Sequence, residues 1–111
     1  MRIVRFYTGS DGESHLEELD PDLAPDFQSP KIATKVTLMR MPQDHYMDFH
    51  PAPERRWSVN ISGEVEIGLG DGTVHRFGPG DLRLMEDTTG RGHTTRYLQD
   101  TAWLMVTVGP D

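Results

Sequence analysis

Short stretches of alternating apolar and polar residues follow one another along this chain, and glycine- or proline-containing turns separate them. Alternation of this kind is typical of β-strands, because successive side chains of a strand point to opposite faces. Regularly spaced short strands with turn residues between them indicate an all-β barrel or sandwich. We therefore predict a β-barrel with almost no helix, whose strands cover residues 2–8, 31–41, 56–62, 64–69, 73–77, 81–85, 93–97 and 102–108.

Three segments depart from this alternation. Ser14 and Glu17 have the spacing of a capping box, which predicts one helical turn ending at Leu19. Segment 20–30 carries three prolines and several acidic residues, and segment 42–53 is also rich in loop-forming residues. We predict irregular structure in both segments.

Size and charge limit the possible functions. The 111 residues suffice for one domain, which we place at 1–111, and so small a core would gain from a homodimer interface. The 18 acidic and 11 basic side chains give a net charge of −7, which argues against nucleic-acid and anionic-membrane partners. The absence of cysteine excludes disulfides and thiolate chemistry. No apolar run follows Met1 as in a leader peptide, and no window approaches the ~20 apolar residues of a membrane span, so we expect a cytoplasmic protein.

The middle of the chain carries two short motifs that are separated by hairpin turns. His50 and a strand ending in Ser62-Gly63-Glu64 form the first, and the turn Gly78-Pro79-Gly80-Asp81 and His93 form the second. On these residues the chain resembles the cupin superfamily, and its Glu-Asp-Thr-Thr-Gly loop at 86–90 is similar to that of a subgroup of small bacterial cupins. The resemblance implies a small jelly-roll β-barrel with a small-molecule cavity.

The resemblance also implies where a metal would bind. Metal-dependent cupins supply His-x-His and a glutamate from the first motif and a histidine from the second. Here His50 matches the first ligand, whereas Ala52, Arg56 and Arg91 occupy the other three positions, and His93 lies two residues beyond the last. Because a guanidinium is always cationic, it does not replace a carboxylate ligand. The resemblance therefore implies a degenerate metal motif, and we expect no cofactor. We interpret the six methionines as gap-filling core residues rather than as ligands.

Two histidines are the candidate acid–base groups. A histidine titrates near neutral pH and can take up or release a proton in a pocket. His93 follows Gly90 and Gly92, which permit a sharp turn that would bring its imidazole over the mouth of the barrel, and His50 lies just before a polar-faced strand. The alternatives are a loop histidine bonded to backbone at position 50 and a solvent-exposed strand end at position 93.

Glu86 and Asp87 are adjacent, so in an extended chain only one of them can face the interior. Glu86 shares its face with Leu82 and Leu84, and Asp87 shares the other face with Arg83 and Met85. We predict that Glu86 faces the cavity, where apolar surroundings would raise its pKa and make it a usable acid or base. For Asp87 we favour a capping or salt-bridge role.

The strand that follows Pro53 has one polar and one apolar face, on which Arg56, Ser58 and Asn60 alternate with Trp57, Val59 and Ile61. A solvent-exposed polar face is the ordinary interpretation. In the cupin arrangement, however, the polar face points into the barrel and lines the pocket. The apolar face would then be covered by a neighbouring strand or by a second subunit of a homodimer.

These residues lead to one expected function and two alternatives. We expect a cavity that binds a small polar compound with a carboxylate, carbonyl or enol and performs acid–base chemistry of the isomerase, cyclase, dehydratase or lyase type. His50 and His93 would move protons, Glu86 would be a second acid or base, and Arg56 with its polar neighbours would hold negative charge. One alternative is an oxygenase or isomerase with iron, manganese, nickel or zinc, bound by both histidines and a carboxylate of Glu86 or Asp87. The other is a non-catalytic small-ligand binding module.

Overall fold

The computed structural model describes residues 1–20, 22 and 29–108. All regular structure within these residues is β-strand, which confirms the predicted all-β class. Nowhere in these segments is there a helix with the length and apolarity needed to cross a membrane. The strands are β1 Ile3–Thr8, β2 Ser14–Leu19, β3 Ala33–Met41, β4 Tyr46–His50, β5 Arg56–Ser62, β6 Val65–Gly68, β7 Val74–Phe77, β8 Leu82–Glu86, β9 His93–Tyr97 and β10 Thr101–Val108.

The strands form two sheets that pack face to face as a jelly-roll-like sandwich. The larger sheet has the strand order β2-β1-β8-β5-β10-β3, and the smaller sheet has the order β4-β9-β6-β7. Strands β1 and β8 pair in parallel, and the other ladders of the described chain are antiparallel. Within the described residues no ladder joins the two sheets, so the predicted closed barrel is an open sandwich.

Apolar side chains from both sheets meet between them. Phe6 of β1 packs edge-on against Phe77 of β7, with ring centroids 6.0 Å apart. Val4, Val65 and Ile67 are completely buried beside them. Burial of each such side chain stabilises the fold by about 1.5–3 kcal/mol. This packing holds the two sheets at a fixed separation.

Two of the three segments that were not predicted as strands contain strands. The helical turn predicted from the Ser14–Glu17 spacing is wrong, because this segment is β2, which pairs antiparallel with β1 along its whole length. The Ser14 hydroxyl does not cap a helix and is buried against another side chain. Segment 42–53, predicted as loop, contains β4, which pairs with β9. Most of segment 20–30 lies outside the described residues.

The outward side of the larger sheet is apolar across four strands. One cross-strand row and the row beside it consist of Val36, Val106, Trp57 and Leu84, and of Leu38, Leu104, Val59 and Leu82. We refer to these eight residues as the outer apolar face. On the edge strand β3 it is strongly exposed, because Val36 and Leu38 retain 63% and 62% of their accessible surface. The inward side of the same strands carries arginines on β5 and β8 and methionines and Trp103 on β8, β10 and β3.

Candidate functional site

A cavity of about 140 Å³ lies between the sheets. It is bounded by both sheets and by the chain that follows β4. Its lining consists of two histidines, two arginines, five methionines and a few smaller or aromatic residues: His50, His93, Arg56, Arg83, Met39, Met41, Met47, Met85, Met105, Ala52, Ser58, Thr95, Tyr97 and Trp103.

The two candidate histidines meet in this cavity. His50 ends β4 and His93 begins β9, and the two residues are direct cross-strand partners. Their imidazole ring centroids are 4.9 Å apart. Gly92 permits this approach, because its φ of 82° suits glycine and a Cβ at this position would lie 2.0 Å from the carbonyl oxygen of His50.

Hydrogen bonds orient both imidazoles in the same way. Nδ1 of His50 lies 2.7 Å from the carbonyl oxygen of Asp48, and Nδ1 of His93 lies 2.6 Å from Oδ2 of Asp87. Because a carbonyl or carboxylate oxygen can only accept, each Nδ1 carries the proton and donates it. In the neutral form of each ring the lone pair is therefore on Nε2. The site offers two imidazole bases of the same tautomer.

Asp87 is the fixed point of this arrangement. It follows β8 directly and is completely buried. Its Oδ2 accepts from His93 and also from the hydroxyl of Ser14, which is 2.6 Å away at the start of β2. A buried carboxylate behind an imidazole holds the ring in one tautomer and stabilises the imidazolium that forms when it takes a proton. Asp87 thus contacts His93 from behind the cavity wall and does not line the cavity itself.

The prediction that Glu86 faces the cavity is wrong. Its carboxylate lies on the opposite face of β8, where Arg5 and Arg55 donate to it from Nε at 2.5 Å each. Partial burial opposes its ionisation, but these hydrogen bonds outweigh that effect and lower the pKa of Glu86. The predicted raised pKa is therefore wrong as well. Leu82, Leu84 and Glu86 share one face of β8, as predicted, but that face points away from the cavity.

Two guanidinium groups face the cavity. Arg56 was expected there, and Arg83, which the sequence analysis placed only on the same strand face as Asp87, joins it. Burial lowers the pKa of Arg56. Burial and, to a smaller extent, the neighbouring Arg56 charge lower the pKa of Arg83 to about 10, which leaves it cationic at neutral pH. Neither arginine forms a salt bridge with a carboxylate of the described chain.

The hydrogen-bonding capacity of both arginines is incompletely used. Nη2 of Arg83 donates to Oδ1 of Asn60 at 3.2 Å. The Nε atoms of Arg83 and Arg56 are buried and have no hydrogen-bond partner among the described residues. A buried donor without an acceptor costs about 1–3 kcal/mol, so an acceptor in the cavity would be stabilised here. The cavity is electrostatically suited to an anion.

The two remaining predicted binding residues differ in position. Ser58 is buried and lines the cavity, whereas Asn60 is buried behind it. Besides accepting from Arg83, Asn60 donates from Nδ2 to the carbonyl oxygen of Phe77 at 3.3 Å. Asn60 therefore positions Arg83 rather than reaching the cavity itself.

An aromatic pair completes the wall. Tyr97 and Trp103 stack with ring centroids 5.2 Å apart and planes 24° from parallel. Burial raises the pKa of Tyr97, so its hydroxyl stays protonated at neutral pH. Neither aromatic residue was predicted, because nothing in an isolated strand pattern distinguishes a cavity wall from a core.

The residues present do not fit the two-histidine, one-carboxylate metal site of the sequence hypothesis. Glu86 faces away, and the one oxygen of Asp87 that has partners is engaged by Nδ1 of His93 and by Ser14. The described residues contain no group of three or more His, Cys, Asp or Glu side chains placed to hold a metal ion. Arg56 and Arg83 add two positive charges to the same cavity, which opposes a divalent cation.

Comparison with known proteins supports the fold alone. No protein-family model and no curated protein matches the chain. It is similar in structure to the conserved SPY1581 protein of unknown function from Streptococcus pyogenes, with a TM-score of 0.54 and 21% sequence identity. That match covers 68% of this chain and 64% of the other. It is also similar to protein NMB1881 from Neisseria meningitidis, with a TM-score of 0.53, 11% identity and coverage of 82% of this chain and 100% of the other.

Proposed function

We propose that this chain is a small cupin-like protein that binds a small anionic molecule between its sheets and catalyses acid–base chemistry on it, of the isomerase, cyclase, dehydratase or lyase type. One observation carries this proposal. An imidazole held by a buried carboxylate (His93 on Asp87) lies against a second imidazole in a cavity that also contains two guanidinium groups without carboxylate partners.

The residues divide between proton transfer and charge stabilisation. Nε2 of His93 takes a proton from a carbon next to a carbonyl or carboxylate, and the electron pair of the C–H bond becomes an enolate. Arg56 and Arg83 stabilise the negative charge on the enolate oxygens. The imidazolium of His93, or His50 after proton transfer, then returns a proton to a neighbouring atom. An isomerisation of this kind needs no oxidant, and positioned acid–base groups of this type contribute ~10²–10⁴ in rate.

Deuterium exchange tests this function without knowledge of the natural substrate. Small 2-oxo acids that stabilise the protein in a thermal-shift screen would be incubated with it in D₂O, and loss of the α-proton would be followed by ¹H NMR. We expect exchange that His93→Gln reduces at least ~100-fold and that His75→Gln, a substitution on β7, leaves unchanged. Exchange equal in both variants would contradict the role of His93.

The same screen separates the alternative functions. Ligands that raise the melting temperature but exchange no proton would favour the non-catalytic binding module.

We propose that no resident metal takes part in the chemistry. Stoichiometric iron, manganese, nickel or zinc in protein purified without an affinity tag would overturn that proposal. Loss of the metal in a His50→Ala/His93→Ala double variant would assign it to this cavity.

We also propose that a second copy of the chain covers the outer apolar face. Four strands at ~4.8 Å spacing, with two outward positions ~6.8 Å apart along each, give about 260 Å² per subunit. Two such faces together bury about 500 Å², which is below the size of stable specific interfaces, so we expect a weak dimer. A twofold dimer satisfies both faces at once, because each subunit presents the same patch. The face is uniformly apolar, so no charge pattern selects a different partner.

Sedimentation velocity over a concentration series tests the dimer. We expect a concentration-dependent dimer that Leu38→Arg converts to a monomer. Val74→Arg serves as the control, because Val74 is a similarly exposed apolar residue on β7 of the other sheet. A wild-type protein that stays monomeric at the highest concentration would contradict the proposal.

A further inference from the structure

Most of the six methionines pack in or against the hydrophobic core, as predicted, and five of the six line the cavity. Met39, Met41, Met47, Met85 and Met105 all line the cavity, although they come from four different strands. Four of these five are only partly buried, whereas Met85 is buried. Methionine side chains are unbranched and polarisable, so they form an apolar surface that adapts to the shape of a bound group. The cavity therefore has an apolar wall in addition to its polar one.

In two inward rows of the larger sheet, polar residues on β8 and β5 are followed by apolar residues on β10 and β3, whereas in a third row Met85 on β8 lies opposite Arg56 on β5. Along one cross-strand row the inward residues are Arg83 on β8, Ser58 on β5 and Met105 on β10. In the row beside it, Asn60 is followed by Trp103 and then by Met39 on the edge strand β3. Neighbouring strands are ~4.8 Å apart, so about 10 Å separate the guanidinium strand β8 from the methionine strand β10. In these two rows the lining thus changes from polar or charged to apolar within the length of one small molecule.

The charges facing the cavity have one sign. Arg56 and Arg83 line it, and none of the residues that line it is a carboxylate. The buried Nε atoms of both arginines have no acceptor among the described residues, so a carboxylate oxygen would supply what these donors need.

The volume sets the size of the apolar group. The cavity holds about 140 Å³. An apolar cavity of ~150 Å³ accommodates one benzene molecule. The volume therefore limits the apolar group to at most one ring or an aliphatic group of equal size.

We infer that the cavity binds an amphipathic anion. Arg83 and Arg56 hold its carboxylate or enolate, and its apolar group, about the size of a benzene ring, lies on the methionines, Tyr97 and Trp103. This inference rests on the proposed function in one respect, since it assigns the substrate class of the same cavity. It excludes sugars, nucleotides and short acids such as acetate as good ligands.

Isothermal titration calorimetry with four probes tests the inference on the unmodified chain. The probes are benzoate, cyclohexanecarboxylate, acetate and the neutral isostere benzamide. We expect both ring-bearing acids to bind, and acetate and benzamide to bind at least ~10-fold more weakly, because one lacks the apolar group and the other lacks the charge. Acetate equal to benzoate would overturn the apolar part, and benzamide equal to benzoate would overturn the anionic part. No binding of either ring-bearing acid to folded protein would overturn both.

Two variants assign the preferences to residues. Arg83→Met should remove the preference for benzoate over benzamide, whereas Arg76→Met on the exposed side of β7 should retain it. Met105→Gln keeps the side-chain length and should lower the ratio of benzoate to acetate affinity by about 5- to 10-fold, whereas Val74→Gln should not. If Arg83→Met does not fold, the comparison of benzoate with benzamide on the wild-type protein decides the charge requirement.

The outcomes distinguish this inference from the proposed function. Benzoate binding with the expected preferences but no α-proton exchange on any 2-oxo acid would leave the ligand class standing and contradict the catalysis. Exchange on pyruvate-sized acids, with no gain from an apolar ring, would support the catalysis and overturn the ligand class.

Discussion

Replacement of Asp87 by asparagine tests the arrangement on which the proposed chemistry depends. Asp87 is completely buried, and its Oδ2 lies 2.6 Å from Nδ1 of His93. A hydrogen bond to a charged acceptor contributes about 1.5–3 kcal/mol, whereas a neutral one contributes about 0.5–1.5 kcal/mol. At ~1.4 kcal/mol per factor of ten, the carboxylate favours the Nδ1–H tautomer by roughly 10- to 150-fold. Asp87→Asn should lower that ratio about 5- to 12-fold, and an amide nitrogen turned toward the ring would invert it.

Long-range ¹H–¹⁵N correlation spectra measure this ratio directly, because protonated and unprotonated imidazole nitrogens have well-separated shifts. We expect wild-type His93 to show a protonated Nδ1 and an unprotonated Nε2 near pH 8. Asp11→Asn is the matched control, since Asp11 contacts the exposed His15 through a similar pair at 3.0 Å. Wild-type His93 with its proton on Nε2, or an unchanged ratio in Asp87→Asn, would refute the orientation argued for the base. In the exchange assay the same variant should lose ~10²-fold or more.

Three further predictions concern stability and the anion site. Glu86→Gln should cost about 1–2 kcal/mol of unfolding free energy at pH 7. Because the folded-state pKa of Glu86 is lowered from 4.5, the difference from wild type in urea titrations should shrink as the pH falls from 4.5 through that lower pKa. A difference that stays constant with pH would contradict the ion-pair assignment. Gly92→Ala should destabilise the protein by more than ~3 kcal/mol, because its Cβ would meet the backbone of the neighbouring strand. Gly72→Ala, at φ 88° with no atom within 4 Å, should cost only about 1–2 kcal/mol. Equal melting temperatures of the two variants would contradict the close approach at Gly92. Asn60→Asp should place a carboxylate against Arg83 and weaken benzoate binding by at least ~10-fold in calorimetry, and unchanged affinity would contradict the role of that arginine.

The local pattern was sufficient for most of the fold. Alternation along β5 separated Ser58 from Trp57, and the structure places these residues on the inward and outward sides of the larger sheet. The turn glycines located strand ends, because Gly63 and Gly72 adopt positive φ angles there. Gly72 lies in the β6–β7 hairpin, whereas Gly63 lies where the chain passes from the larger sheet to the smaller one. The pairing of strands across the chain was not accessible, since a parallel pair such as β1 with β8 joins segments that are about 80 residues apart.

Segment 14–19 shows where a local signal misleads. Ser14 and Glu17 have capping-box spacing, but the six-residue ladder between this segment and β1 provides more hydrogen bonds than one helical turn could. A single turn is also too short to offset the cost of helix nucleation. The Ser14 hydroxyl then serves Asp87, a contact between residues 73 positions apart that no short motif predicts.

The error on β8 has a more general cause. The usual rule places the more apolar face of a strand inside, and it selected the face with Leu82, Leu84 and Glu86. In this sandwich the inner face of the central strands lines a polar cavity, and the apolar face lies outside. For β5 the cupin resemblance implied the same inversion at Arg56. Because β5 and β8 pair with Ser58 opposite Arg83, one inversion requires the other. The pairing of β5 with β8, which the sequence does not show, therefore places Arg83 and Asp87 at the site and Glu86 outside it. The residues that break the apolar-inside rule on adjacent strands are the ones that make this cavity chemically capable.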